Sequence, residues 1–567
     1  MRGIFYMKNA EINTPDNGDS AGEFAADLIF EGDKMTPVAS DFILPDYLPD
    51  IQRILRVTAK NENQKEQIAQ NTLNFDGDAI FTVLYLSEDN KLRSVAFAAD
   101  YKGTMDVPGL TESDVVLPNT TVEDVGAQLS NPRKLSLRCK TNYAARIYRS
   151  HRITPEITGS RGAEDEVTLE RDRIEVPAME VKRENSGELH GSFDMELDAS
   201  QPAVGQIVLC ELDIVTAGCS AESGMLNYRG EGILRCLYET PDGTYALATQ
   251  RFPVAAELAL GLRGNCGCYA KATTGELSAS VEPNSYGEPR VIEIDYTYEL
   301  DIPVFYASAV KLTRDIYSTE YECKPAVGNC VLRSPARSYE TNFTVNAVKS
   351  RGEVTTDVKS SLILPVMTEA VAKIKELRLD NVKNKLYAEG NADIFMLAMC
   401  RPAPKTTAIV EQGAEITPSS EPEQSYCAVT FTVPIRCELD AHGLEPNFGW
   451  QCNVGVSSVK GRFDSVNTYA DFEVSLNVVT ENVGSYDYVT SASIDTAKRN
   501  AKPAASILLY YPSEGEKLWD IAKRYSTTKR DIATANALTA AAAENKLPRV
   551  LTVPAPEKRR PVFERVI

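Results

Sequence analysis

The chain has 567 residues, 43% of them apolar, and a formal charge of −20 at neutral pH. That length predicts three to five domains, and that apolar fraction supports packed cores and excludes a disordered chain. The acidic balance excludes nucleic acid as the main ligand, because phosphates would be repelled, and no stretch is apolar for the roughly 20 residues that a membrane helix needs.

The charge is uneven. From Ser506 onward eleven basic and seven acidic residues give +4, which leaves −24 on the rest. The basic end could meet an acidic partner or the acidic body of another copy. Residues 1–10 contain too short an apolar run for a signal peptide, so the chain is expected to be made and kept in a cytoplasm. Twelve cysteines are too sparse for a disulfide framework. Cys266-Gly-Cys268 is the one close pair, none of the three histidines stands beside it, and no zinc spacing is completed. Reduced structural thiols are expected, with a regulatory disulfide or a metal at Cys266 and Cys268 as the alternatives.

Taken in order, residues 1–22 are polar and read as a flexible terminus. Strand patterning starts near Phe24 and continues through Phe42-Ile-Leu-Pro45. At Leu48-Pro-Asp-Ile51-Gln-Arg-Ile54-Leu55 the proline placement and the three-residue apolar spacing predict one or two turns of helix. A segment then recurs three times, at 75–86, 228–238 and 387–398. Each copy sets an aromatic residue and a glycine (Gly77, Gly230, Gly390) before a run dense in Ile, Val, Leu, Phe and Tyr. The glycines stand 153 and 160 residues apart, a period that suits a whole small domain. Each copy predicts a strand that turns back as a hairpin, most plainly through Thr240-Pro-Asp-Gly243. The third hairpin carries a Pro- and Ser-rich insertion at 399–426. Alternating strands close the repeats at 135–140, 291–302 and 469–478. Glu369-Ala-Val371-Ala-Lys-Ile374 predicts a short helix in the third repeat.

The expected fold is therefore mainly β, with tandem β-sandwich-like domains at 23–150, 151–315 and 316–482. A linker is expected at 483–505, a small β-α-α-β domain at 506–556 and a basic tail at 557–567. In the small domain Leu518, Ile521, Ala522 and Tyr525 fall at helical spacing, and Thr528 with Asp531 predicts a capped second helix.

This last segment resembles the LysM family through Gly515, Leu518-Trp519-Asp-Ile521-Ala522-Lys-Arg-Tyr525, Asn536-Ala-Leu538 and Leu551-Thr-Val553-Pro554. The resemblance implies a shallow groove for N-acetylglucosamine-containing glycans between the loop after the first strand and the loop before the last. Lys517 replaces the usual small hydroxyl residue, and the usual glycine is missing from Asn545-Lys-Leu-Pro-Arg549. Both departures add bulk or charge and favour a protein partner. The candidate partner- or glycan-binding residues are Gly515, Glu516, Lys517, Trp519, Asn536 and Arg549.

The repeats in turn resemble the SPOCS-domain proteins of endospore formers, of the SipL and SpoVID type. Leu48-Pro-Asp-Ile51 and the run from Gly77 to Leu86 carry the likeness. It implies a non-enzymatic scaffold of coat assembly, held in the mother-cell cytoplasm at the forespore surface. Its LysM domain would dock on the morphogenetic ATPase of the coat's basement layer. A peptidoglycan-binding wall protein is the alternative. The sequence contains no Walker loop, no His-Glu-x-x-His and no Gly-x-Ser-x-Gly, so no catalytic residue, cofactor or metal is expected.

Overall fold

The computed structural model describes residues 24–159, 169–222, 224–262, 266–357, 360–402, 425–501, 506–539 and 547–555. The expected N-terminal arm, the basic tail and most of the 399–426 insertion lie outside these residues. The alternating runs form long antiparallel strands, as period-two burial requires. The first module comprises β1 (Phe24–Ile43), β2 (Ile51–Ala69), β3 (Thr72–Ser87), β4 (Leu92–Asp106), β5 (Val115–Asn131) and β6 (Lys134–Arg152). They make two sheets, ordered β1-β6-β5 and β2-β3-β4. The sheets share one core that includes Val38, Phe75, Phe81, Tyr85, Leu137 and Tyr143. A short β7 (Glu156–Gly159) follows.

The same plan repeats. The second module holds β8 (Leu169–Glu196), β9 (Gln206–Glu222), β10 (Met225–Glu239), β11 (Tyr245–Ala259), β12 (Cys266–Cys268), β13 (Lys271–Pro283) and β14 (Pro289–Ser318). The third holds β15 (Tyr321–Ser350), β16 (Thr355–Thr356), β17 (Ser360–Asp380), β18 (Lys385–Pro402), β19 (Ser425–Asp440), β20 (Phe448–Phe463) and β21 (Asn467–Arg499). The recurring segments lie in β3, β10 and β18, each the middle strand of an antiparallel trio. The closing runs lie in β6, β14 and β21, each the middle strand of the opposing sheet.

The repeated glycines share a position. Opposite Gly77, Gly230 and Gly390 the neighbouring strand carries one extra residue, between Glu62 and Lys65, Thr216 and Gly218, and Ile374 and Glu376 respectively. At Gly390, and less closely at Gly77, the bulge brings the neighbouring backbone against the middle strand, where a residue without a Cβ leaves room, whereas at Gly230 the Tyr228 ring takes that space. At Gly390 an added Cβ would stand 1.9 Å from the Lys373 carbonyl oxygen, and backbone cannot swing aside as a side chain can. Gly390→Ala is therefore expected to destabilise the third module by about 3 kcal/mol. A lowered urea midpoint with the first two modules still protected from hydrogen exchange would verify it; an unchanged midpoint would refute the bulge explanation.

Three sequence expectations are corrected. No helix forms over 48–55: a turn precedes Ile51, and β2 runs from there. Residues 369–374 belong to β17. Residues 483–499 are not a linker. They extend β21, pair with the first half of β15 and bury Val489, Ala492 and Ile494. β7 adds to the same strand in parallel at 491–494.

The modules are packed into one another. Leu84, Leu209, Leu237, Met367 and Leu397 form an apolar cluster drawn from all three. Charge is buried in the same seams. Glu481 on β21 accepts from Arg146 at 2.9 and 3.2 Å, from the Tyr148 hydroxyl at 2.9 Å and from Arg333 at 3.3 Å. Arg56, Glu211, Arg235 and Glu369 converge from β2, β9, β10 and β17. Paired in this way, the charges recover through hydrogen bonds much of what their desolvation costs.

Candidate functional site

The six candidate residues lie in the C-terminal module: β22 (Ile507–Tyr510), α1 (Leu518–Arg524), α2 (Lys529–Ala535) and β23 (Leu551–Pro554), with β22 and β23 paired antiparallel. Gly515 adopts φ +79° in the turn before α1, where a residue with a side chain would be strained. Glu516 is committed to that turn. It accepts from the Ser513 amide at 3.0 Å and from the Tyr510 hydroxyl at 2.9 and 3.0 Å, and it pairs with Arg524 at 3.1 Å. The Ser513 amide and these neighbours hold its carboxyl below the usual range. Thr528 accepts from the Asp531 amide at 2.9 Å and so caps α2, as the spacing predicts. Asn536 is also spent internally. Its amide group donates to the Ile532 and Thr552 carbonyls at 2.7 Å and accepts from the Thr552 amide at 2.7 Å, stitching the end of α2 to β23.

Trp519 is buried, not displayed, at 6% exposure. Its ring packs edge-on against Tyr317 of β14, with centroids 4.9 Å apart. Its indole N–H donates to Asp315 at 2.8 Å, and Lys523 reaches the same carboxylate at 2.7 Å. The Tyr317 hydroxyl donates to the Thr527 carbonyl at 2.7 Å. Trp519 therefore serves as the key that seats this module on the second β module. Asp315 and Tyr317, the lock, were not legible as such, because nothing local marks a strand end 204 residues away.

Three of the six remain on the surface: Gly515, Lys517 and Arg549 are exposed. The module also carries an apolar face absent from the sequence expectation. Ile507, Leu509 and Tyr511 alternate along β22 and are 61%, 63% and 67% exposed, and Val550 flanks them. Exposed apolar side chains gathered on one face have the composition of a protein-interface core.

Residues 50–130 match the family model described as SipL, SPOCS domain. No curated protein and no solved structure matches the chain. The SPOCS match begins at the start of β2, takes in the bulged trio β2-β3-β4 and ends in β5. It thus includes the Gly77 bulge and the Gly77–Leu86 run. Its β2 also lines a cleft of about 980 Å3 between the modules.

Charged groups on the cleft wall are largely matched to one another. Arg183 reaches Glu66 and Asp301 at 2.6 Å each, and Lys60 pairs with Asp213 at 3.3 Å. Among the described residues no group of three or more His, Cys, Asp or Glu is disposed to hold a metal ion, and no helix is long and apolar enough to cross a membrane.

One residue before Ala370 of the cleft wall, buried Glu369 sets a pH dependence. Burial pushes its carboxyl up, to about 7, against the pull of Arg56, and the Glu211 carboxylate adds to the rise. Burial also opposes ionisation of Glu211, but the Arg56 charge and hydrogen bond bring that carboxyl down. From the ordinary carboxylate value up to about 7 the folded chain keeps a proton on Glu369 that the unfolded chain has released. Its contribution to stability is therefore present on the acid side and lost as pH rises through that window. Glu369→Gln should flatten the urea-derived stability profile there by about 1.4 kcal/mol per pH unit relative to the unmodified chain. Parallel profiles would rule out a proton on Glu369.

Proposed function

We propose that this chain is a non-enzymatic scaffold of endospore-coat assembly, acting in the mother cell at the forespore surface. It would grip a basement-layer coat protein, the morphogenetic ATPase, through a LysM-type C-terminal module. The observation that carries the reading is the SPOCS match over 50–130, with its bulged trio repeated in two further modules. A body of interlocked β modules supplies rigidity and surface for several partners. The basic terminal module suits an acidic or mixed partner face. The open face of β22, with Lys517 and Arg549 exposed on the same module, is the grip this reading favours over Trp519, which is engaged within the chain.

Affinity purification from sporulating cells, with the full chain and with a chain lacking residues 506–567, tests the reading. One coat protein should be captured by the first and missing from the second; equal recovery would end it. Leu509→Asp and Lys517→Glu are each expected to weaken that capture about tenfold while the β modules stay folded. The alternative, a peptidoglycan-binding wall protein, rests on the LysM likeness. It predicts sedimentation of the full chain with purified peptidoglycan, lost on removing residues 506–567.

A further inference from the structure

Cys266 and Cys268 form the one close cysteine pair in the sequence, yet the thiol that faces Cys268 belongs to neither neighbour in the chain. Cys219 Sγ lies 3.3 Å from Cys268 Sγ. Cys219 sits on β9, opposite Tyr228 of β10, while Cys268 sits on β12, opposite Val304 of β14. The two sulfurs therefore face each other between the opposing sheets of the second module. A disulfide has an S–S distance of about 2.05 Å, so closure needs a movement of little more than 1 Å shared between two side chains. Both thiols are partly exposed, so a small oxidant can reach them. By contrast, Cys210 and Cys236 are directly opposed across β9 and β10, but Cys236 is fully buried.

We infer that Cys219 and Cys268 are an oxidisable dithiol site, closed to a disulfide by a peroxide, that staples the two sheets of the second module. The chemistry of the pair assigns the roles. The two thiols share one hydrogen bond that either can donate; with Cys219 as donor it holds Cys268 below its ordinary range and pushes Cys219 up. Cys266 is pushed up by burial, to about 11. With Cys219 donating, Cys268 is the thiolate that attacks, since the thiolate is the nucleophilic form, and exchanging the two roles yields the same disulfide.

In the first step the Cys268 thiolate attacks one oxygen of hydrogen peroxide. The O–O bond breaks, hydroxide leaves, and Cys268 becomes a sulfenic acid. In the second step Cys219 sulfur gives up its proton and attacks Cys268 sulfur. The S–O bond breaks and the hydroxyl departs with a proton as water. Two thiols are oxidised by two electrons, and one peroxide is reduced to two waters. The bond closes a span of 49 residues. It joins two sheets already linked nearby by the Thr216 hydroxyl, which donates to the Ala270 carbonyl at 2.9 Å, beside the Glu340 carboxylate of the third module. Cross-linking restricts the unfolded chain and raises the melting temperature of the segment that it closes.

The test uses the full chain, fully reduced, treated with hydrogen peroxide, capped with a maleimide and digested. Mass spectrometry should find the Cys219 and Cys268 peptides joined with the loss of two hydrogens. The first unfolding transition should move up by several degrees. Cys219→Ser should abolish both effects and leave Cys268 to accumulate sulfenic acid, trapped by dimedone. Cys266→Ser should abolish neither. In the reduced chain Cys268 should be alkylated well ahead of Cys266. The inference is overturned if both thiols are still capped after peroxide, if Cys268 bridges Cys266, or if Cys266→Ser removes the joined peptide. Should Cys219→Ser fold poorly, Cys219→Ala reads the same loss.

Discussion

Glu481→Leu is expected to lower the stability of the chain by about 3–5 kcal/mol. Glu481 is 3% exposed and receives Arg146 and Tyr148 from the first module and Arg333 from the third. Removing the carboxylate takes from Arg333 its ion pair with Glu481 and leaves Arg146 only Glu31, at 3.4 Å, in a seam that water enters poorly, and neither guanidinium can neutralise itself by losing a proton. The loss is therefore mostly the cost of leaving charges behind rather than the worth of the contacts. Urea denaturation should show the fall. Hydrogen exchange should place it at the seam, with β6 and the far half of β21 losing protection together. A triple substitution of Arg146, Arg333 and Glu481 by apolar residues should recover much of the stability. If Glu481→Leu costs under about 1 kcal/mol, the network contributes nothing net and apolar packing alone joins these modules.

Trp519→Ala should remove about 3–5 kcal/mol from the C-terminal module. The ring belongs to a core made with Leu518, Ile521, Ala522, Ile532, Leu551 and Val553, and that same core includes Tyr317 of the second module. Losing it opens a cavity, leaves Asp315 with Lys523 and the Ile316 amide, and detaches the seat. Limited proteolysis should release fragments from residues 506–555 while 24–499 stays intact. Tyr317→Phe is the control, since it keeps the packing and removes one hydrogen bond to the Thr527 carbonyl, at a cost of about 1 kcal/mol. Equal resistance of Trp519→Ala and the unmodified chain would show that the module is held in place without this ring.

Much of the β architecture was legible because its signals are local. Alternation over five or more residues dictates a strand with one buried face, and this located the middle strands of both sheets in each module. Thr240-Pro-Asp-Gly243 dictated a tight turn, and Gly243 does adopt φ +81°. Thr528 dictated its cap. The repeated glycine announced itself by position, though its purpose needed the neighbouring strand.

Where the local reading failed, bulges are the reason. At 51–56 two register shifts in β2, between Ile51 and Arg53 and between Ile54 and Arg56, reset which side chains point inward. Ile51 and Leu55 are then both buried at a spacing that imitates a helix. In β17 the shifts between Pro365 and Met367 and between Ile374 and Glu376 do the same. In β21 the shift opposite Ala326 and Val327 moves burial from Val489 to Ala492 and Ile494, an odd step followed by an even one, so 483–499 shows no period.

The amino-acid order alone determined the strands with unbroken alternation, the tight turns and the helix cap, because each depends on residues within a few positions. Only the tertiary structure decided the bulged strands, the Glu481 seam, the seat of Trp519 on Asp315 and the meeting of Cys219 with Cys268. Each of those joins groups far apart in the chain, and their partners exist only once the sheets have paired.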